Sequence, residues 1–387
     1  MIKNLIKNLM PNKSIEIIRF IKNTSFRKET GKKKKYPKVI QLPLTYACNS
    51  KCVMCNIWKM DSSNEMGIEE FKKYINDPLF KDVVAVGING GEPSLIKNLP
   101  FYAKEICGLP SIKYLNIISH GFNSRVLKEV LVEIYSICKS HDVNFQVSIS
   151  LDGVGKIHND VRGLDVFKNT FPLIQELKEN KNKYCDDFNI GCTIIKQNVN
   201  HLVELDTFMI HNQLQNKIKY RLGIDNKRIE SQTIRDQYSV IYDSTNYSPY
   251  KQAAKEFLLG RIRISNNIND KFKYFSMFYW LNSDIPKRLL GCSWKEEGVT
   301  MDARGKLFYC SVASDEIGSL RNIKKGEEIF FSDENIKHRE DILKNKCDNC
   351  IHDYGGEVYI KNIFPFLKFM VLNKFSMSYY KFLNKLK

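Results

Sequence analysis

The sequence predicts an α/β fold: six strand–helix units on a parallel sheet, followed by a small cysteine-rich α+β extension. Two observations predict it. Apolar runs alternate with segments of helical periodicity from residue 38 to residue 225, and alternation of this kind builds right-handed βαβ units. Seven of the eleven cysteines fall in two groups, Cys48, Cys52 and Cys55 near the first strand and Cys292, Cys310, Cys347 and Cys350 near the C-terminus.

Taken in order, strands are expected near 38–45, 82–88, 112–118, 143–150, 187–196 and 217–224. The first is the apolar run Val39-Ile40-Gln41-Leu42-Pro43-Leu44-Thr45, the second Asp82 to Gly87, and the fourth Phe145 to Ile149. Helices are expected near 66–78, 95–107, 122–140, 167–181 and 200–213, with Asn198 or Asn200 capping the last. Residues 226–290 form an insert rich in aromatic residues, among them Phe272, Tyr274, Phe275, Phe278, Tyr279 and Trp280. Either it covers the open side of the sheet or its aromatics serve plain helix packing. Asp302-Ala303-Arg304-Gly305 reads as a hairpin turn that delivers Cys310 on the returning strand. Cys107, Cys138, Cys185 and Cys192 read as small buried residues.

The net charge is +17, but its location matters more than its size. Residues 1–38 carry +10 and residues 357–387 carry +5, so the other 318 residues carry only +2. A nucleic-acid enzyme places positive charge along its substrate groove, and this chain places it at the ends. In the first segment, Ile2, Leu5, Ile6, Leu9 and Met10 recur at helical spacing opposite Lys3, Asn4, Lys7 and Asn8. At the other end Phe364, Phe366, Leu367, Phe369, Met370 and Phe375 are interleaved with Lys368 and Lys374. Peripheral contact with an anionic membrane suits such faces; packing against the rest of the protein is the alternative. No run of about 20 apolar residues and no secretory signal is seen. The cysteine content then fits a reducing cytoplasm, at the inner membrane surface if the ends bind there.

Cys48, Cys52 and Cys55 are spaced Cys-x3-Cys-x2-Cys on the loop leaving the first strand. Thiolates are the preferred ligands of iron–sulfur clusters, and three of them leave one iron of a four-iron cluster open to a small molecule. A zinc site is the other reading of the spacing alone. Gly90-Gly91-Glu92-Pro93 follows the second strand, and Ser150-Leu151-Asp152-Gly153 closes the fourth. Together these motifs resemble the radical S-adenosylmethionine (SAM) superfamily. That resemblance makes the six units an open, partial (β/α)6 TIM-type barrel with its site at the C-terminal strand ends. It implies a [4Fe-4S] cluster on Cys48, Cys52 and Cys55, with SAM chelating the open iron. Reductive cleavage of SAM would give a 5′-deoxyadenosyl radical that abstracts hydrogen from substrate. The electron would come from a flavodoxin- or ferredoxin-type donor.

By the same resemblance Glu92 and the Gly90-Gly91 backbone meet the methionine ammonium, while Ser150 and Asp152 meet ribose or carboxylate. Arg162 pairs with the carboxylate or else braces its loop through a salt bridge. His120, where relatives often have Asn, is read as structural rather than catalytic, and Met54 stands where an aromatic residue is common. Cys292, Cys310, Cys347 and Cys350 resemble a twitch or shortened SPASM extension with one auxiliary [4Fe-4S] cluster; a structural zinc is the alternative.

The resulting division is 1–37 basic amphipathic segment, 38–225 barrel, 226–290 insert, 291–355 auxiliary-cluster domain and 356–387 basic amphipathic helix. The expected activity is oxidation of a small or carbohydrate-like substrate, with the auxiliary cluster accepting the electron. The residues before the first strand are few for the leader-binding unit of peptide-modifying relatives, so peptide modification (a thioether or carbon–carbon link) ranks second. Redox-neutral epimerisation would need a hydrogen donor such as Tyr309. An iron–sulfur electron carrier is the non-enzymatic alternative.

Overall fold

All six expected strands form: β1 (Val39–Pro43), β2 (Ala85–Asn89), β3 (Tyr114–Ser119), β4 (Asn144–Ser150), β5 (Asp187–Ile194) and β6 (Ile218–Leu222). The structure is a computed structural model and describes residues 35–242, 248–322, 325–352 and 355–372. Helices α1 (Ile68–Ile75), α2 (Leu99–Cys107), α3 (Ser124–Ser140), α4 (Lys156–Arg162), α5 (Phe167–Glu179) and α6 (Leu202–His211) lie between the strands. Beyond them come α7 (Ile268–Asn282), α8 (Asp333–Asn345) and α9 (Ile360–Leu372).

Strands β1 to β6 pair in sequence order, every pair parallel. Their period-two alternation separates two faces. Ile40, Leu42, Val86, Ile88, Leu115, Ile117, Phe145 and Val147 are fully buried on one. The other face stays partly open. In one register row it carries Gln41, Gly87, Asn116, Gln146 and Asp187, three amides with a glycine and a carboxylate.

One feature of the sheet is not legible in the sequence. Strand β7 (Gly298–Met301) pairs in parallel with β1, and β8 (Lys306–Phe308) and β9 (Gly318–Ser319) follow antiparallel. The extension therefore continues the barrel sheet into nine strands. The expected turn is present: Gly305 has φ +76°, and Asp302 Oδ1 accepts the Arg304 and Lys306 N–H groups at 2.9 Å. Strand β8 ends at Phe308, so Cys310 sits in the loop after it rather than on it.

Two compact units make up the described chain: residues 35–254 with 293–348, and residues 255–292 with 349–372. The sheet belongs to the first. In the second, Phe366 of α9 meets Phe272 and Phe275 of α7 at 5.4 and 5.3 Å, and Phe369 meets Phe275 at 4.9 Å. Much of the aromatic face of α9 is thus spent on α7, as plain helix packing requires, while Phe364 remains exposed. Of the basic amphipathic segment expected at residues 1–37, residues 1–34 lie outside the described residues. Among the described residues, no helix is long and apolar enough to cross a membrane.

Neither Asn198 nor Asn200 caps α6. Asn198 is instead fully buried, its Oδ1 accepting the Ile195 N–H and its Nδ2 donating to the Asp152 and Thr193 carbonyls at 2.9 Å. A side-chain amide that can satisfy three buried backbone groups is worth more there than at a helix end.

Candidate functional site

The loop carrying Cys48, Cys52 and Cys55 leaves the C-terminal end of β1 and is fixed from several directions. Against the second strand, the Gly91 N–H donates to Thr45 O (2.6 Å) and the Glu92 N–H to Ala47 O (2.9 Å). A Cβ on Gly90 would lie 2.4 Å from Thr45 O, and one on Gly91 would lie 2.0 Å from Ala47 O. The two glycines are required because the cysteine loop itself passes over them.

From the other side, the Lys51 N–H donates to Arg162 O and the Val53 N–H to Val161 O, both at 3.1 Å. At the base, Thr45 Oγ1 donates to Glu65 Oε2 (2.8 Å), the Tyr46 N–H to Glu65 Oε1 (2.5 Å), and Tyr46 Oη to buried Asp302 Oδ2 (2.5 Å). Asn56 Nδ2 donates to Glu230 O and Thr233 Oγ1. Met54 packs with Val53 and Ile234 against Val161, Ile195 and Tyr238.

The three sulfurs are partly exposed and feel one another's charge. Burial pushes the Cys48 thiol up to about 12 and the Cys55 thiol up to about 11. Two guanidiniums, Arg228 and Arg162, oppose this at Cys55. Arg228 Nε and Nη1 are buried without a hydrogen-bond partner among the described residues. A trio of soft ligands on one loop, with cations beside it, fits an anionic iron–sulfur centre.

Glu92 is buried beneath this loop. Its Oε1 accepts from Ser119 Oγ (2.6 Å) and the Ser94 N–H (3.1 Å), and its Oε2 from the His120 N–H (3.0 Å). His120 Nδ1 accepts the Phe122 N–H, so the ring proton sits on Nε2, which lies 2.9 Å from Asn49 Oδ1 and 3.2 Å from Glu92 Oε2. Burial holds His120 down at about 4, against the opposing pull of Glu92. It is therefore a neutral clamp joining the end of β3, the cysteine loop and Glu92.

Ser150 lies at the partly open end of β4, and its hydroxyl makes no hydrogen bond among the described residues. Asp152 is fully buried. Its Oδ2 lies 2.5 Å from Arg162 Nη2 and its Oδ1 accepts the Thr193 N–H at 2.8 Å. The structure pairs Asp152 with Arg162, the loop-bracing arrangement. Tyr309 is buried with its hydroxyl donated to Phe330 O (2.7 Å), so it is not placed as a hydrogen donor.

The four C-terminal cysteines divide between the two units. In the larger, the Cys310 sulfur accepts the Ala313 N–H at 3.3 Å, and Cys310 and Cys347 both act electrostatically on Arg339, which lies over the Tyr309 ring. In the smaller, buried Arg288 donates to the carbonyls of Leu290, Gly291, Cys350 and His352 at 2.7–3.2 Å, holding the segments that carry Cys292 and Cys350. Asn49, Tyr46, Glu65, Arg228 and Arg288 went unread in the sequence, because their partners are distant in the chain or are backbone groups.

An open parallel barrel with a three-cysteine loop beyond its first strand defines the class. Residues 42–209 match the model of the Radical SAM superfamily. It is 26% identical over 163 residues to the Fe-coproporphyrin III synthase of Methanosarcina barkeri, covering 42% of this chain and 38% of that one. It is 30% identical over 142 residues to the sporulation killing factor maturation protein SkfB of Bacillus subtilis, covering 36% and 32%. The chain thus spans well under half the length of these curated relatives. The fold is similar to native anSMEcpe with bound AdoMet and Cp18Cys peptide, at TM-score 0.56 and 17% identity over 87% of this chain and 99% of that one.

Proposed function

We propose that the protein is a radical SAM oxidoreductase in which Cys48, Cys52 and Cys55 hold a [4Fe-4S] cluster and SAM binds beside it. The observation that carries this reading is the braced loop: three half-buried cysteines at a parallel-strand end, locked onto Gly90-Gly91-Glu92 and α4. When bound, the cluster and SAM supply one electron and a carbon radical able to take hydrogen from an unactivated C–H bond. The protein's own residues orient and enclose. Ser150, free at the end of β4, is the hydroxyl available to SAM, while Glu92 and the neutral His120 fix the turn beneath it. Asp152 and Arg162 brace the loop rather than touching ligand.

The row of amides ending in the Asp187 carboxylate suits a polar substrate, small or carbohydrate-like, that can hydrogen-bond to it. Cys292, Cys310, Cys347 and Cys350 are the thiolates for an auxiliary cluster that would accept the substrate electron. A second reading, modification of a peptide, is favoured by the names of two relatives, one a killing-factor maturation protein and one carrying a bound peptide.

The test is reduction-dependent release of 5′-deoxyadenosine by the anaerobically reconstituted protein, followed by deuterium transfer from labelled polyol or peptide candidates. Release that disappears in Cys48/Cys52/Cys55→Ala supports the reading. Full iron binding with no 5′-deoxyadenosine would make the protein an electron carrier. Transfer of deuterium from peptide alone would replace the first substrate class with the second.

A further inference from the structure

Arg162 occupies an unusual position between a carboxylate and a cysteine sulfur. Its Nη2 lies 2.5 Å from Asp152 Oδ2, and its Nη1 donates to the Cys52 sulfur at 3.5 Å. Its own carbonyl receives the Lys51 N–H at 3.1 Å and the Ser50 hydroxyl at 3.0 Å. Ser50 Oγ also lies 2.9 Å from the Cys52 sulfur. One residue therefore holds the cysteine loop by its backbone and one of the loop's sulfurs by its side chain. Both members of the ion pair are buried, and Asp152 is fixed in turn by Thr193 and Asn198.

We propose that Arg162 sets the reduction potential of the cluster held by Cys48, Cys52 and Cys55, acting as a positioning residue through Cys52. This rests on the cluster assignment made above. Reduction adds one electron from the external low-potential donor to the cluster and breaks no protein bond. The negative charge it adds is shared with the ligating sulfurs. A guanidinium stays protonated at any working pH, and an N–H···S bond to a ligating sulfur favours the more negative state.

Asp152 opposes the effect, but it is paired with Nη2, whereas the group that meets Cys52 is the positive N–H of Nη1. Burial keeps solvent from screening that dipole. Ser50 adds a second, weaker donor to the same sulfur once the thiol is ionised, because its single proton then turns from Arg162 O to Cys52. Arg228 adds positive charge near Cys55.

The experiment is EPR-monitored potentiometry on the reconstituted full chain, following the reduced-cluster signal that changes when SAM is added. Arg162→Met combined with Asp152→Asn removes both charges together, so no buried carboxylate is left unpaired. At the wild-type midpoint its ratio of reduced to oxidised cluster should fall about tenfold, equivalent to about 59 mV for a one-electron couple. Arg162→Lys, which keeps charge but loses the fork, should shift the same way by less. Should the double variant not retain iron, Arg162→Lys decides the matter. An unchanged midpoint in an iron-replete variant would make Arg162 a loop brace alone. A wild-type protein whose iron does not depend on Cys48, Cys52 and Cys55 would instead overturn the cluster assignment.

Discussion

The two cysteine groups are built in opposite ways. Around Cys48, Cys52 and Cys55 the protein supplies the geometry itself: Thr45, Ala47, Lys51, Val53 and Asn56 are each tied to another element by named hydrogen bonds. The C-terminal cysteines are held as two pairs in two units, one served by Arg339 and the other by the carbonyl-binding Arg288. A loop whose backbone is already fixed loses little freedom when its cofactor binds.

The largest expected effect breaks the preformed side. Gly91→Ala places a methyl against the Ala47 carbonyl, which is backbone and has little room to yield. Most of the iron at the first site should be lost, with the C-terminal metal retained, as iron analysis after reconstitution will show.

Next comes the other side. Arg288→Met removes the donor to four carbonyls and should cost about 3 kcal/mol or more. Thermal unfolding measures the cost. The C-terminal metal should be lost preferentially.

A smaller, pH-dependent effect belongs to His120. Its folded value of about 4 lies below the ordinary 6.5, so the unfolded chain takes up its proton first as the pH falls. Its contribution is complete above about pH 6.5 and is lost toward pH 4, on the order of 3 kcal/mol in all. His158, also held low by burial, adds in the same direction. Melting curves of His120→Asn should therefore show a weakened, not abolished, loss of stability between pH 6.5 and pH 4.

The barrel was legible because its signals are local. The apolar runs that became β1, β2 and β4 each alternate or terminate within a few residues, and the Gly90-Gly91-Glu92 motif stands beside its strand. The reasons behind the motif were not legible. That Gly91 makes way for Ala47, or that Tyr46 meets Asp302 across 256 positions, depends on chain crossings that no short window contains. Arg288 was silent for a different reason: its partners are carbonyls, which every residue has. Asp152 and Arg162 were each legible as a cofactor-binding candidate, but only the fold shows that they engage each other.

The most direct test of the account is iron, sulfide and zinc content after anaerobic reconstitution, on wild type, Cys48/Cys52/Cys55→Ala, and a variant with the four C-terminal cysteines replaced by Ala. Wild type should hold about eight irons and each variant about four. About four irons falling to none in the first variant, with one zinc kept, would make the C-terminal site structural and remove the electron acceptor. Iron unchanged by loss of Cys48, Cys52 and Cys55 would contradict the central claim.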